Sequence, residues 1–99
     1  MNKHDILDVL KDNADHLRKT YGVSRIGLFG SFGRGHGGEG SDIDLLVDFK
    51  KGYKDFFNYM HLKDYLEDLL GREVDLVTEK ALKERLRDKI MEQVEYVEQ

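Results

Sequence analysis

The stretch Leu28–Phe49, LFGSFGRGHGGEGSDIDLLVDF, decides how the rest of the chain is read. Its opening belongs to a short apolar run, Arg25–Ile26–Gly27–Leu28–Phe29, which is too short for a helix and is closed by Gly30, so it reads as a buried strand. Six of the ten glycines lie between Gly30 and Gly40 in a chain without proline, which makes Ser31–Ser41 a glycine-rich connection. Asp42–Phe49 (DIDLLVDF) then reads as a second strand, with Ile43, Leu45 and Val47 on one face and Gly52 closing it.

Working outward, residues 3–20 place Ile6, Leu10, Ala14 and Leu17 on one stripe, with Leu7 beside them. The pattern predicts one amphipathic helix, capped by Asn2 and stopped at Gly22. Residues 54–70 predict a second helix with Tyr59, Leu62, Leu66, Leu69 and Leu70 on its buried side and Gly71 at the C′ position. Glu73–Thr78 (EVDLVT) is a third short strand. From Glu79 the repeat of Leu82, Leu86, Ile90 and Val94 predicts a final helix. This order gives an α/β domain on a small sheet, one domain over residues 1–99.

Composition sets the boundaries. The 99 residues are 39% apolar and 36% charged, enough for a modest core under a charged surface, and limited burial at this length makes a partner surface unsurprising. With no cysteine, disulfides, thiolate zinc sites and cysteine nucleophiles are excluded. No apolar run suits a membrane span, and Met1–Leu10 is too charged for a signal peptide, so a soluble, cytoplasmic protein is expected. The net charge of −4 argues against general nucleic-acid binding and leaves a local phosphate site open.

Asp42 and Asp44, two apart on a strand, project to the same side, where two like charges repel. A divalent cation is the simplest compensation, and oxygen ligands select Mg²⁺ or Mn²⁺ over zinc. Asp75 interrupts an apolar strand between Val74 and Leu76. If the second and third strands are neighbours, Asp75 completes a triad able to hold two Mg²⁺ ions for in-line displacement at phosphorus. Gly30 and Ser31, where a strand turns into a short helix, offer backbone N–H groups and a hydroxyl to phosphate oxygens, and Arg34 can clamp one. Together these parts describe a nucleoside triphosphate site.

The Gly-Ser, ten residues, Asp-x-Asp pattern formed by Gly30, Ser31, Asp42 and Asp44 resembles the signature of polymerase-β-type nucleotidyltransferases. Four fixed residues at this spacing arise by chance at roughly one start position in 10⁵. The short chain and the later VDLVT resemble the minimal nucleotidyltransferases, and the likeness runs from Tyr21 to Val97. It implies the polymerase-β nucleotidyltransferase core, a small mixed sheet flanked by helices. It also implies roles: Gly30 and Ser31 for the triphosphate, Asp42 and Asp44 as metal ligands, Asp75 as third ligand and helper in deprotonating the attacking hydroxyl, and Arg34 as a frequent arginine of the subgroup. Finally it implies an antitoxin that moves AMP from ATP to a tyrosine hydroxyl of a helical HEPN toxin. Gly33 in place of a common alanine, and the glycine-rich His36–Gly40, depart from the pattern and suggest a loop that orders on nucleotide.

Structural readings stand beside these. Ser31 suits a helix N-cap, Arg34 an ion pair with Glu39 or Asp42, and His36 a solvated loop position. Lys80, Lys83, Arg85, Arg87 and Lys89 suit a solvated helix face or a docking surface. Tyr53, Phe56, Phe57 and Tyr59 suit the core and the helix start, with partner binding the second reading. The rival function is a nucleotide-binding antitoxin that neutralises its partner by contact alone; a catalytic subunit acting on small molecules is the third. Homo-oligomerisation is left open.

Overall fold

The structure is a computed structural model that describes residues 1–38 and 40–97. Its centre is the strand β2 (Ile43–Phe49), flanked on one side by β1 (Val23–Phe29) and on the other by β3 (Val74–Thr78). β1 and β2 run antiparallel, β2 and β3 parallel, so the sheet is mixed. A two-residue strand β4 (Glu95–Tyr96) adds antiparallel to β1, and the order among the described residues is β3-β2-β1-β4.

Two helices precede the sheet, α1 (Lys3–Asp12) and α2 (Ala14–Tyr21); α3 (Gly30–Gly33) follows β1, and α4 (Phe56–Leu70) joins β2 to β3. Asn2 caps α1 in a reciprocal pair with Asp5, and Gly22 and Gly71 end α2 and α4 in the left-handed conformation, as the sequence predicts. Ile6, Leu10 and Leu17 from the first two helices and Leu62, Leu66 and Leu70 from α4 meet Ile26, Leu28, Ile43, Leu45, Val47, Val74 and Leu76 from the strands in one core. Alternation along β2 and β3 therefore sends Asp44, Leu46 and Asp48, and Asp75 and Val77, to the other face. Leu69 is half-buried, at the margin of the α4 stripe.

Two predicted helices are corrected. The first breaks at Asn13, whose Nδ2 donates to the Val9 carbonyl (2.8 Å) while its Oδ1 accepts from the Tyr65 hydroxyl (3.0 Å). An asparagine that bonds backward to the backbone competes with the helix ladder, and the periodic stripe conceals this. At the other end, Glu79–Ala81 is a 3₁₀ turn, and the final helix α5 covers Glu84–Gln93 with no fully buried residue and Leu86 47% exposed. Val94 lies beyond α5 as its C-cap, and the chain passes on into β4.

The reason for the break at Glu79 is electrostatic. Its carboxylate is 4% exposed and takes two hydrogen bonds from Arg25, from Nε (2.7 Å) and Nη2 (2.5 Å), a bidentate pair that ties β1 to the 3₁₀ turn. The Arg25 guanidinium also lies 4.4 Å from the centre of the Tyr96 ring, and burial, with Glu79 nearby, pushes the Tyr96 phenol up to about 12. Removing the cation strands the buried carboxylate. Arg25→Met is expected to lower stability by about 1–2 kcal/mol, less than a fully buried pair because Arg25 is partly solvated. Urea unfolding checks this, and adding Glu79→Gln should recover part of the loss; a single variant as stable as the parent would contradict the assignment.

Candidate active site

At the start of β2, register and sterics bring the predicted residues together. Asp44 is the direct partner of Asp75 across the parallel β2–β3 pair and of Phe29 across the antiparallel β1–β2 pair. Adjacent strands lie about 4.8 Å apart, so the two carboxylates leave neighbouring strands on one face. Asp42 sits one residue before β2 and is exposed, as is Asp75. Asp44 is half-buried.

Gly30 closes the arrangement from β1. It has φ +70°, and a Cβ placed there would fall on the Asp44 carboxylate. Any side chain would be strained at that φ and would also collide with Asp44. Glycine at this position is thus what lets the β1–α3 turn lie directly against the carboxylate. Ser31 follows within α3 and is half-buried. The N-cap of α3 is Phe29, so the N-cap reading of Ser31 is corrected.

Arg34 is exposed. Its Nη1 donates to Gln93 Oε1 on α5 at 3.3 Å, and its charge reaches Asp44, where it favours the ionised form. It makes no ion pair with Asp42 among the described residues; Glu39, the other partner weighed for it, lies outside them. His36 is exposed, as a solvated loop position would be.

Arg72 joins the site with only a faint signal in the sequence. From the α4–β3 turn its Nη1 donates to the carbonyls of Gly38 (3.1 Å) and Ser41 (3.3 Å), and its guanidinium lies 5.3 Å from the centre of the buried Phe32 ring. A Cβ on Gly37 would meet that same ring, and the Ile43 N–H donates to the Glu73 carbonyl (3.0 Å). The loop before Asp42 is therefore anchored to the start of β3. The hint in the sequence was a lone arginine directly before a carboxylate strand, a signal too common to single out.

Beside the aspartates lies an open groove of about 400 Å³ lined by Asp42, Lys63, Glu67, Glu73, Val74 and Asp75. Four carboxylates against one ammonium make it a place for cations. Among the described residues no three carboxylate or imidazole groups meet closely enough to chelate an ion unaided. This donor set still suits magnesium, which binds through one or two carboxylates and completes its octahedron with water and substrate phosphates.

Burial first, and then Asp75 and Asp42, raise the Asp44 pKa above the 3.8 of an unperturbed aspartate. The native chain therefore holds this proton more tightly than the unfolded chain does. The stabilisation is fully present below the unfolded value and is lost as pH rises through the raised native pKa. Without divalent ions, Asp44→Asn should raise the melting temperature at pH 7 by a few degrees and leave it unchanged at pH 3. Thermal unfolding in a chelator measures both, and a variant less stable than the parent at pH 7 would contradict the assignment.

Residues 8–97 match the family described as nucleotidyltransferase domain. The protein adenylyltransferase MntA of Thermococcus cleftensis is 40% identical over 93 residues, spanning 94% of this chain and 93% of that protein. A solved structure described as a minimal nucleotidyltransferase superposes with TM-score 0.81 at 36% identity, covering 96% of this chain and 95% of its own. A chain from the Shewanella oneidensis complex of a tri-AMPylated HEPN toxin with an MNT antitoxin superposes with TM-score 0.61 at 25% identity, covering 98% and 69%.

Proposed function

The chain belongs to the nucleotidyltransferase domain family, and we propose that within it the protein is a Mg²⁺-dependent adenylyltransferase that moves AMP from ATP to a tyrosine hydroxyl of a HEPN-type partner, acting as its antitoxin. The observation that carries this reading is the in-register pair Asp44–Asp75 packed against Gly30. It sets two carboxylates beside a turn that carries no side chain at Gly30. The adenylyltransferase relative and the AMPylated toxin complex support the choice of AMP and of the acceptor protein.

In this reading Asp42, Asp44 and Asp75 hold the magnesium, which when bound neutralises triphosphate charge and the charge developing on the departing oxygens. The Gly30–Ser31 turn donates N–H and O–H groups to the β- and γ-phosphates, and Arg34 adds a mobile cation. Asp75, exposed on the groove side, takes the proton of the acceptor hydroxyl as its oxygen bonds to the α-phosphorus. The α–β anhydride bond breaks, and pyrophosphate leaves. The protein's share is positioning and charge neutralisation, which a domain of this size can supply. The acceptor comes with the partner.

Co-expression with a HEPN-type protein as the partner tests the reading. The partner's intact mass should rise by one or more AMP units, and Asp42→Asn/Asp44→Asn should abolish the increase. A partner that stays unmodified yet is still neutralised by both versions would replace transfer by contact alone.

A further inference from the structure

Phe56 and Phe57 begin α4 with their rings outside the core, 70% and 72% exposed, edge to face at 5.9 Å. Tyr53 beside them is 38% exposed. The reading that placed these aromatics in the core holds for Tyr59, which packs on it and donates its hydroxyl to the Leu76 carbonyl at 2.6 Å. For the two phenylalanines the core reading is corrected, while the helix-start reading holds, since α4 begins at Phe56.

The backbone under them is held firmly. Asn58 Nδ2 donates to the carbonyls of Tyr21 and Tyr53, both at 2.8 Å, and the Lys50 N–H donates to the Gly22 carbonyl at 2.7 Å. Asp55 caps α4 through the Asn58 N–H at 2.8 Å. The segment spends its polar groups fixing the turn and leaves two large apolar rings in water. Adjacent is a cavity of about 250 Å³ lined by Val47, Phe49, Phe56 and Tyr59 together with Lys54 and Lys80.

The charge here is opposite to that of the molecule. In a chain of net charge −4, exposed Lys54 and Lys80 line the cavity and exposed Lys50 and Lys51 precede Tyr53 in the chain, and among the described residues none of the four forms an ion pair. Two carboxylates also line the cavity, but both are engaged: Asp55 in the cap, and Asp48 by the Ser24 hydroxyl at 3.1 Å. The Lys80 ammonium beside Lys54 holds its pKa below the usual lysine range.

We propose that this aromatic and lysine-edged end of the sheet docks the HEPN-type partner, receiving a helix face that presents an apolar stripe bordered by carboxylates. The inference rests on the reading in the preceding subsection. Rigid aromatics on a fixed backbone are the groups that carry most interface energy, because little ordering remains to be done on binding. The location also suits the acceptor problem. Asp48, beside the cavity, is four residues along β2 from Asp44, about 13 Å, within the footprint of an ordinary protein interface. A partner anchored here can extend a hydroxyl to the carboxylates without covering the nucleotide groove.

The test compares binding of a HEPN-type protein that this chain neutralises on co-expression to the wild type, Phe56→Ala/Phe57→Ala, Lys54→Glu/Lys80→Glu and Asp44→Asn. Calorimetry gives affinity, and a fluorescent ATP analogue with Mg²⁺ reports the nucleotide site. The aromatic double variant should weaken partner binding by about 100-fold or more, with unchanged melting temperature and nucleotide affinity. The lysine double variant should slow association, most at low salt. Asp44→Asn should bind as the wild type does. Partner binding unaffected by the aromatic double variant overturns the proposal. So does a wild type that ignores the partner and uses these residues for anionic vesicles, RNA or self-association in sedimentation. Tight, phenylalanine-dependent binding without AMP transfer would instead overturn the adenylyltransferase reading and leave the docking surface standing.

Discussion

The contact between Gly30 and the Asp44 carboxylate is the constraint on which the rest of the site depends. Because no side chain intervenes, the turn leaving β1 lies directly on the second carboxylate of the Asp-x-Asp pair. The parallel β2–β3 register then sets Asp75 at the same level on the next strand. Two carboxylates thus share one face beside the β1–α3 turn, where the proposed phosphate and cation sites adjoin. The half-burial that raises the Asp44 pKa follows from this packing.

The sheet's asymmetry makes this possible. α1, α2 and α4 supply the apolar stripes that bury one face, and the alternation of β2 and β3 sends their polar residues to the other. Arg72 adds the remaining control by tying the glycine-rich loop to the start of β3, so that Asp42 is delivered beside Asp44 from an anchored segment. Arg25 and Glu79 do comparable work at the far end, fixing the turn after β3 to β1. Polar side chains thus position the pieces that the apolar core leaves undetermined.

Much of this was legible in the sequence because the signals are local. Period-two alternation gave the strands around Asp44 and Asp75, and Gly22 and Gly71 gave the ends of α2 and α4. The ten-residue spacing between Ser31 and Asp42 carries the nucleotidyltransferase pattern by itself. What escaped depends on contacts between distant residues. The interruption at Glu79 needs Arg25, and the role of Arg72 needs Gly38 and Ser41 brought back across the loop. β4 is two residues long, below what alternation can reveal. Phe56 and Phe57 misled for a different reason: apolar character predicts burial, but large apolar side chains also stand on protein surfaces.

A crystal structure of the protein with Mg²⁺ and a non-hydrolysable ATP analogue tests the central claim most directly. The account predicts magnesium between the oxygens of Asp42, Asp44 and Asp75 and the triphosphate, with the β- and γ-phosphates against the Gly30–Ser31 turn. A nucleotide bound elsewhere on the sheet, or bound with these carboxylates free of metal, would contradict it.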